Sequence, residues 1–235
     1  MRWPADSFRP LPTALLIVGV VVAGALALFA ASAVVLVRYS GHPPIVPLLV
    51  ANVIGEGLPV LIVLLALPAV SKRSYAELGF AFPNLRQIGI SILGMIAMTI
   101  VVSGGASLAE SLSHQKHEQL VVELGRQALH DPHTAWFFIL FAVVIAPFME
   151  ETIFRLFVFN LGRRYGGFWP GAILSGVLFG LAHWDPFASP ALVLGGIILC
   201  AIYARTRNAF ASMITHGLFN GLTILALIFA PNLAK

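Results

Sequence analysis

Ionisable side chains interrupt an otherwise apolar stretch, "FMEETIFRLFVFNLG", which runs from Phe148 to Gly162. Glu150, Glu151 and Arg155 lie within six residues of one another in it. An ionisable group near the centre of a bilayer costs about 2.5–3.5 kcal/mol on insertion scales. If the segment lies in a membrane, three such groups together indicate a functional site.

The two adjacent glutamates are predicted to have different roles. On a helix, neighbouring residues point about 100° apart, whereas residues four apart share a face. Glu151 is therefore expected to pair with Arg155 as structural support of a site. Glu150 points elsewhere and remains available for chemistry.

Two further motifs place polar groups at membrane depth in the C-terminal half. "FGLAH" runs from Phe179 to His183, and "HGLFN" runs from His216 to Asn220. The first and last residues of each motif share a helix face. One carboxylate, two imidazoles and one amide are thus predicted to converge from three helices, with Phe179 supporting His183.

This set of groups suits hydrolysis of a peptide bond. A carboxylate withdrawn from water can act as a general base for water, and an amide or imidazolium can stabilise the oxyanion that forms on a carbonyl. No serine or cysteine lies in an evident nucleophile motif, so attack by water is favoured. His183, His216 and Glu150 could instead bind a catalytic zinc ion, although the sequence lacks HExxH. Metal-dependent and metal-free mechanisms both stay open.

Composition shows where these groups must lie. The chain has 235 residues, of which 59% are hydrophobic and 10% charged, against about 25% charged in ordinary soluble domains. It is therefore predicted to be an integral membrane protein with the lipid bilayer as its surroundings and residues 1–235 as a single membrane domain. The formal charge is +4 without a basic block, which excludes nucleic acid as a partner. The single cysteine, Cys200, excludes an intrachain disulfide.

Apolar segments of bilayer length predict an all-α polytopic helix bundle with about seven transmembrane helices. A polar catalytic cavity is expected among the C-terminal helices. The first apolar run is too long for the core of a signal peptide and is interpreted as an uncleaved span. The predicted spans are 13–37, 45–70, 87–109, 135–159, 168–184, 188–203 and 209–230.

Basic residues predict the orientation of the bundle. With a cytoplasmic N-terminus, nine basic residues lie inside and four outside, which follows the positive-inside rule. The composition suits a bacterial inner membrane. The inside residues are Arg2, Arg9, Lys72, Arg73, Arg86, Arg163, Arg164, Arg205 and Arg207, and the outside residues are Arg38, Lys116, Arg126 and Lys235.

The longest polar stretch, from Glu110 to His133, is then extracytoplasmic. Its apolar positions predict an amphipathic helix at the membrane interface. Its histidines are irregularly spaced and are interpreted as solvated loop residues. The apolar positions are Leu120, Val121, Leu124 and Leu129, and the histidines are His114, His117, His130 and His133.

Two details of the spans stand out. Asn52 and Glu56 share a face of the second span and are interpreted as a helix contact or kink, with the wall of a polar cavity as the alternative. His183 falls near the outer end of the fifth span, whereas Glu150 and His216 lie in the cytoplasmic half. The fifth helix is therefore expected to be tilted, recessed or re-entrant and to end early at "HWDPF".

The three motifs also resemble those of a known family. "EETIFR", "FGLAH" and "HGLFN" are similar, in order, to the EExxxR, FxxxH and HxxxN/B motifs of the CPBP family. That family comprises type II CAAX prenyl endopeptidases and bacterial relatives linked to bacteriocin processing or immunity, also called Abi proteins. The resemblance is strongest over residues 135–225, and "ELGF" at residues 77–80 is a weak further likeness.

The resemblance implies roles for four of the motif residues and does not settle those of Glu151 and Arg155. Glu150 would activate water, and His183 and His216 would act in catalysis or metal binding. Asn220 would stabilise the oxyanion or orient His216. The family is commonly labelled a metalloprotease, although a metal-free glutamate mechanism fits the motifs as well. The implied substrate is a membrane-embedded or lipidated peptide or protein, with a prenylated CAAX-like protein as one example.

Two alternatives lie outside proteolysis. One is a non-catalytic immunity or scaffold protein of the membrane. The other is a proton-coupled transporter, because intramembrane Glu, Arg and His residues are common in proton relays. Such transporters often show internal repeats, whereas these three motifs have no counterpart in the first three predicted spans.

Overall fold

The computed structural model describes residues 10–39, 44–114 and 120–229, and within these ranges every regular element is a helix. The all-α prediction is confirmed. The described chain forms eight continuous helices, and two of them, α3 and α5, continue through π-helical turns. They are α1 (Pro10–Tyr39), α2 (Ile45–Ser71), α3 (Leu85–Ser113), α4 (Leu120–Ala128), α5 (Pro132–Gly166), α6 (Phe168–Ala182), α7 (Ser189–Thr206) and α8 (Ala209–Phe229).

Six of the described helices, namely α1, α2, α3, α5, α7 and α8, are long and apolar enough to cross a membrane. The seventh apolar helix, α6, has 15 residues. At about 1.5 Å per residue it is roughly 22 Å long, which is shorter than the hydrocarbon core of about 30 Å. The prediction of about seven membrane helices is consistent with this bundle, and α6 ends where "HWDPF" begins, as expected.

Short polar side chains determine where several helices begin. The Asn84 side chain accepts from the Gln87 backbone N–H, and the Gln87 side chain accepts from Asn84 in return, which starts α3 with a capping box. Asp131 accepts from the Thr134 N–H at 2.8 Å and starts α5. Before α7, Asp185 accepts from the Ala188 N–H at 3.0 Å. These caps satisfy N–H groups that have no partner inside the helix.

Helix α5 occupies the centre of the bundle and carries "EETIFR". It packs against α2 on one side and against α6, α7 and α8 on the others, while α1 packs on α2 and α3 packs on α7 and α8. The main core joins Leu67 of α2 to Leu156 and Phe159 of α5 and Tyr203 of α7. The site residues are therefore held by the helices that α5 contacts.

Glycines let the helices around the site approach closely. A Cβ atom on Gly196 of α7 would lie 2.9 Å from the Cα of Gly176 on α6. Gly217 of α8 lies against the carbonyl of Val143 on α5, where a side chain would not fit. Small residues at such contacts are the usual means of close helix packing in membranes. Because Gly217 follows His216, this contact fixes the depth and facing of that histidine.

Three π-helical turns widen the helices of the described chain, and two of them lie in α5. Their carbonyls need partners because they fall out of the ordinary i to i+4 register. The Ser175 hydroxyl of α6 donates to the Phe154 carbonyl at 2.9 Å. The Asn160 amide donates to the carbonyls of Arg155 at 3.1 Å and Leu156 at 3.0 Å. The π turns span Thr99–Ser103, Phe141–Ile145 and Thr152–Phe159.

The predicted amphipathic helix of the long polar stretch is present as α4 (Leu120–Ala128). Leu124 packs against the cluster that contains Leu49 and Phe138, and Glu123 is exposed. His114, His130 and His133 are exposed, as expected for solvated histidines. The side chains of Leu120 and Val121, and residues 115–119 with Lys116, His117 and Glu118, lie outside the described residues.

The orientation of the bundle in the membrane, with a cytoplasmic N-terminus, stays a prediction. Of the residues on which it rests, Arg2, Arg9, Lys116 and Lys235 lie outside the described residues. Reporter fusions after Arg73, His130 and Lys235 test it, with a cytoplasmic signal expected only from the first.

Candidate active site

Glu151 and Arg155 form the buried ion pair that their spacing predicts. The Glu151 Oε1 atom lies 3.1 Å from the Arg155 Nη1 atom, and both side chains have 0% of their surface exposed. A lone buried charge would be far more expensive than a paired one. The pair therefore explains how both groups are accommodated inside the bundle.

The Arg155 guanidinium has further partners around it. Its Nη2 atom donates to the Gly196 carbonyl at 3.3 Å. Its central carbon lies 4.6 Å from the centroid of the Phe179 ring and 5.9 Å from that of Phe154, within range of cation–π attraction. Arg155 thus ties α5 to both α6 and α7.

His216 of α8 lies between the two glutamates. Its Nδ1 atom is 3.1 Å from the Glu151 Oε1 atom, and its Nε2 atom is 3.7 Å from the Glu150 Oε2 atom. Because an ionised carboxylate only accepts hydrogen bonds, the Nδ1 atom carries a hydrogen in the contact with Glu151. Glu151 therefore orients the imidazole so that its Nε2 atom faces Glu150.

The two adjacent glutamates differ in how far their side chains are exposed to solvent. The Glu151 side chain is fully buried, whereas 17% of the Glu150 side chain is exposed. A group that acts on water must be reachable by water. Glu150 meets this condition, as the facing argument predicts.

His183 caps the C-terminal end of α6 and is exposed. Its Nδ1 atom lies 2.8 Å from the Phe179 carbonyl oxygen. A carbonyl can only accept, so the Nδ1 atom carries the hydrogen of this bond and Nε2 is left as the nitrogen that can take up a proton.

Phe179 joins the histidines to the buried pair. Its ring centroid is 4.8 Å from that of His183 and 5.7 Å from that of His216, and Arg155 lies over its face. The ring is almost fully buried. The supporting role predicted for Phe179 is consistent with these contacts.

Asn220 lies one turn after His216 on α8. Its Nδ2 atom donates to the Ala142 carbonyl at 2.8 Å, in the first π turn of α5. One of its two amide hydrogens is thereby used. The structure thus gathers Glu150, Glu151, Arg155, Phe179 and His216 around one another, while His183 joins through Phe179 and Asn220 through α5.

His183, His216 and Glu150 are the predicted zinc ligands. Within ranges 10–39, 44–114 and 120–229, no three His, Cys, Asp or Glu side chains are arranged to hold a metal ion. His216 directs one ring nitrogen at each glutamate, and His183 engages a backbone carbonyl. The donor set as it stands does not fit a three-ligand zinc centre, and zinc stays a prediction.

Sequence reasoning undervalued Glu56 of α2. This side chain is half-buried on α2, which packs against the part of α5 that carries Glu150. The available signal was the four-residue spacing of Asn52 and Glu56 inside an apolar run. Both interpretations of that pair, a helix contact or kink and the wall of a polar cavity, stay predictions.

A buried network beneath the site also escaped the sequence analysis. The Asn160 amide donates to the Tyr203 hydroxyl at 3.1 Å, and that hydroxyl donates to the Leu78 carbonyl at 3.0 Å. The Ala209 N–H donates to the Gly79 carbonyl at 2.8 Å. The "ELGF" segment is therefore docked onto α7 and the start of α8, which only the tertiary structure reveals.

Comparison with known proteins agrees with the motif resemblance. Residues 132–222, which hold all three motifs, match the family model described as type II CAAX prenyl endopeptidase Rce1-like. The chain is 27% identical over 144 residues to the putative membrane peptidase YdiL of Bacillus subtilis, covering 59% of this chain and 57% of that protein. It is 26% identical over 167 residues to the membrane-embedded CAAX protease MroQ of Staphylococcus aureus, covering 68% of this chain and 60% of that protein. The predicted family resemblance is confirmed for this part of the chain.

The name of a third relative states no activity. The UPF0177 protein YbdI of Lactococcus lactis is 33% identical over 98 residues, which cover 40% of this chain and 49% of that protein. The alignments thus span about half to three-fifths of the length of these relatives. No solved structure matches the chain.

Proposed function

We propose that this protein is an intramembrane endopeptidase that hydrolyses a peptide bond in a membrane-embedded or lipidated substrate, using water activated by Glu150. The observation that carries the proposal is the division of labour between two adjacent glutamates. Glu151 is sealed in a buried pair with Arg155, while Glu150 is partly exposed and faces His216. The family match and the membrane peptidases among the relatives support the same reaction class.

In the proposed reaction, Glu150 removes a proton from water. The water oxygen bonds to the carbonyl carbon of the substrate, and the electrons of the C=O double bond move to its oxygen. The proton on Glu150 then passes to the amide nitrogen as the C–N bond breaks. One carboxylate therefore acts first as general base and then as general acid.

The neighbouring polar groups would stabilise the intermediate. The second amide hydrogen of Asn220 is proposed to bind the oxyanion, since the first is held by the Ala142 carbonyl. Glu151 keeps His216 oriented toward Glu150, as its 3.1 Å contact with Nδ1 supports. His183, with Nε2 available at the open end of α6, is proposed to hold the attacking water opposite Glu150.

The substrate class rests on where the site lies. Most of its polar groups belong to helices that are long enough to cross a bilayer, and His183 terminates one that is shorter. A peptide bond reaching this depth belongs to a membrane-embedded segment or to a chain tethered by a lipid. One relative is named a CAAX protease, so a prenylated CAAX-like chain is one member of the proposed class.

The test compares membrane peptides from cells that express wild type or Glu150→Gln. Gln is isosteric with Glu but cannot accept a proton, so cleavage products should disappear while protein level holds. Glu123→Gln is the matched control, because Glu123 is an exposed glutamate on α4. Products present with wild type and Glu123→Gln alone support the proposal. Identical peptide inventories in all three samples would overturn it in favour of a scaffold or a transporter.

A further inference from the structure

Two connections between membrane helices meet at one end of the bundle. One is the loop of residues 72–84 between α2 and α3, and the other is the short turn between α7 and α8. The Asn208 side chain of the turn donates to the Ala81 carbonyl of the loop at 2.8 Å, and the Ala209 N–H donates to the Gly79 carbonyl at 2.8 Å. Because all four helices are long enough to cross the bilayer, both connections lie at the same membrane surface.

The same contacts bring arginines of different helices together. The Gln87 side chain of α3 donates to the Thr206 carbonyl at the end of α7, at 3.0 Å. Arg86 precedes Gln87 and Arg205 precedes Thr206, and both arginines are exposed. Arg207, on the other side of Thr206, adds a third exposed charge. Positive charge is therefore concentrated where the start of α3 meets the end of α7.

Few acidic residues accompany these arginines. The sequence has no Asp or Glu from 78 to 109 or from 186 to 235, which includes the first part of α3 and all of α7 and α8. Glu77 of the loop is 2.9 Å from Arg73, to which it is paired. The longest polar stretch, at the opposite end of the bundle, instead carries four acidic and two basic residues. The surplus of positive charge at the loop end suits an anionic partner.

Exposed apolar side chains accompany the arginines. Phe82 is 98% exposed and Leu85 is 87% exposed. The Phe82 ring lies nearly parallel to that of Phe210 on α8, with 6.3 Å between centroids, and Phe210 meets Phe80 edge-on at 5.8 Å. Aromatic and basic residues together are typical of the ends of membrane helices, at the boundary between lipid and water. A lipid surface accounts for both the charge and the exposed rings, whereas a soluble polyanion accounts only for the charge.

We propose that Arg86 and Arg205 bind the phosphate of an anionic phospholipid headgroup, with Arg207 adding to the attraction. Phe82 and Leu85 insert beside it, at the boundary between headgroups and acyl chains. A guanidinium can donate two parallel hydrogen bonds to a phosphate, and basic pockets between membrane helices bind anionic headgroups. A zwitterionic headgroup also carries a cation, which the arginines repel, so the site selects lipids of net negative charge. It uses none of the residues of the proposed reaction.

The first test measures melting temperatures in nanodiscs of phosphatidylcholine, with and without phosphatidylglycerol. Phosphatidylglycerol should raise the melting temperature of wild type by about 4–8 °C, because a ligand of the folded state stabilises it. The rise should be lost in the double variant Arg86→Gln/Arg205→Gln. It should persist in Arg38→Gln/Arg164→Gln, which removes the same charge from exposed positions in the last turns of α1 and α5.

The other outcomes of this test overturn the site. Equal rises in wild type and both double variants would remove Arg86 and Arg205 from lipid binding. Equal losses in the two double variants would show a general attraction of charge to the membrane. No rise with phosphatidylglycerol, together with a rise when soluble polyglutamate is added to phosphatidylcholine nanodiscs, would assign this surface to an acidic protein.

A second measurement tests the insertion of Phe82. The fluorescence that Phe82→Trp adds to that of wild type should be quenched by lipids brominated near the top of the acyl chain, and more strongly by phosphatidylglycerol than by phosphatidylcholine. Adding Arg86→Gln/Arg205→Gln should abolish this preference. Phe229→Trp, at an exposed position at the far end of α8, is the control and should show no preference. Quenching of Phe82→Trp by dissolved acrylamide and not by brominated lipid would place residue 82 in water and overturn the proposal.

Discussion

The described residues include two carboxylate–guanidinium pairs that share a four-residue spacing and lie in very different surroundings. Between α2 and α3, Arg73 and Glu77 approach to 2.9 Å with 25% and 50% of their side-chain surfaces exposed. At the centre of α5, Glu151 and Arg155 approach to 3.1 Å with no exposed surface. The distances are nearly equal, so surroundings decide what each pair does. Exposed pairs contribute little, whereas breaking a buried one leaves an uncompensated charge.

The partners of the two pairs sharpen the contrast. Glu77 also accepts from the Ser74 N–H and hydroxyl, both at 2.9 Å, and so shapes a loop. Glu151 also holds His216, the residue that faces the proposed base. A spacing that stabilises a turn at the surface therefore positions a buried histidine inside the bundle.

The largest effect is expected from opening the buried pair. Arg155→Ala or Glu151→Gln should lower the free energy of unfolding by about 3–5 kcal/mol, because one partner is left buried and unpaired. Activity should fall with the loss of folded protein. Thermal shifts in nanodiscs would measure this, with Arg73→Ala as the matched control at the surface. Equal shifts for Arg155→Ala and Arg73→Ala would show that burial does not distinguish the pairs.

Next in size is the effect of Glu150→Gln, the neighbour that lies outside the buried pair. Hydrolysis should fall by about 10²–10⁴-fold, which is the usual contribution of general acid–base catalysis. The melting temperature should stay level or rise, because a charge in apolar surroundings is removed. Activity and thermal shift of the same sample give both values. A Glu151→Gln variant that stays folded yet inactive, beside an unstable Glu150→Gln, would reverse the two roles.

A smaller effect is expected from Tyr203→Phe in the network beneath the buried pair. The change removes the hydroxyl that accepts from Asn160 and donates to the Leu78 carbonyl. Leaving buried polar groups unsatisfied costs about 1–3 kcal/mol. Tyr165→Phe is the control, because Tyr165 is exposed. Equal melting temperatures for the two variants would remove Tyr203 from the stabilising contacts.

The exposed Arg73–Glu77 pair should affect stability mainly through its dependence on pH. The Ser74 backbone N–H, together with the Arg73 and Ser74 side chains, lowers the pKa of Glu77 to about 2. A depressed folded-state pKa means that the stabilisation is complete above the ordinary value of 4.5 and is lost as pH falls toward 2. The difference in melting temperature between wild type and Glu77→Gln should therefore be small near neutral pH and shrink further below pH 4.5. A difference that grows on acidification would contradict this assignment.

The described donor set does not form a three-ligand zinc centre as it stands, so a metal-free mechanism predicts no effect from removing metal. Metal-free protein should keep its rate of hydrolysis, and chelation should leave the melting temperature unchanged. Near-stoichiometric zinc in purified protein, with activity lost on chelation and restored by zinc, would instead make His183, His216 and Glu150 the ligands to test first.

Much of the bundle could be predicted because hydropathy and helical spacing are local properties. The long apolar runs give six helices of bilayer length, and the predicted second and sixth spans begin at or next to the starts of α2 and α7. The Glu151–Arg155 contact also follows from spacing, since both residues lie on one helix. The short α6 was anticipated from the depth of His183 and from "HWDPF".

What the sequence by itself determined is a membrane-embedded helix bundle whose motif residues are sorted onto helix faces. Only the tertiary structure decided that Glu151 also holds His216 and that Phe179 touches both histidines. These contacts join different helices, so they depend on crossing geometry, on glycines that permit close approach and on π turns that change the facing of α5. Periodicity describes the face of one helix, whereas contacts between helices are set by how side chains of several helices fill the same space.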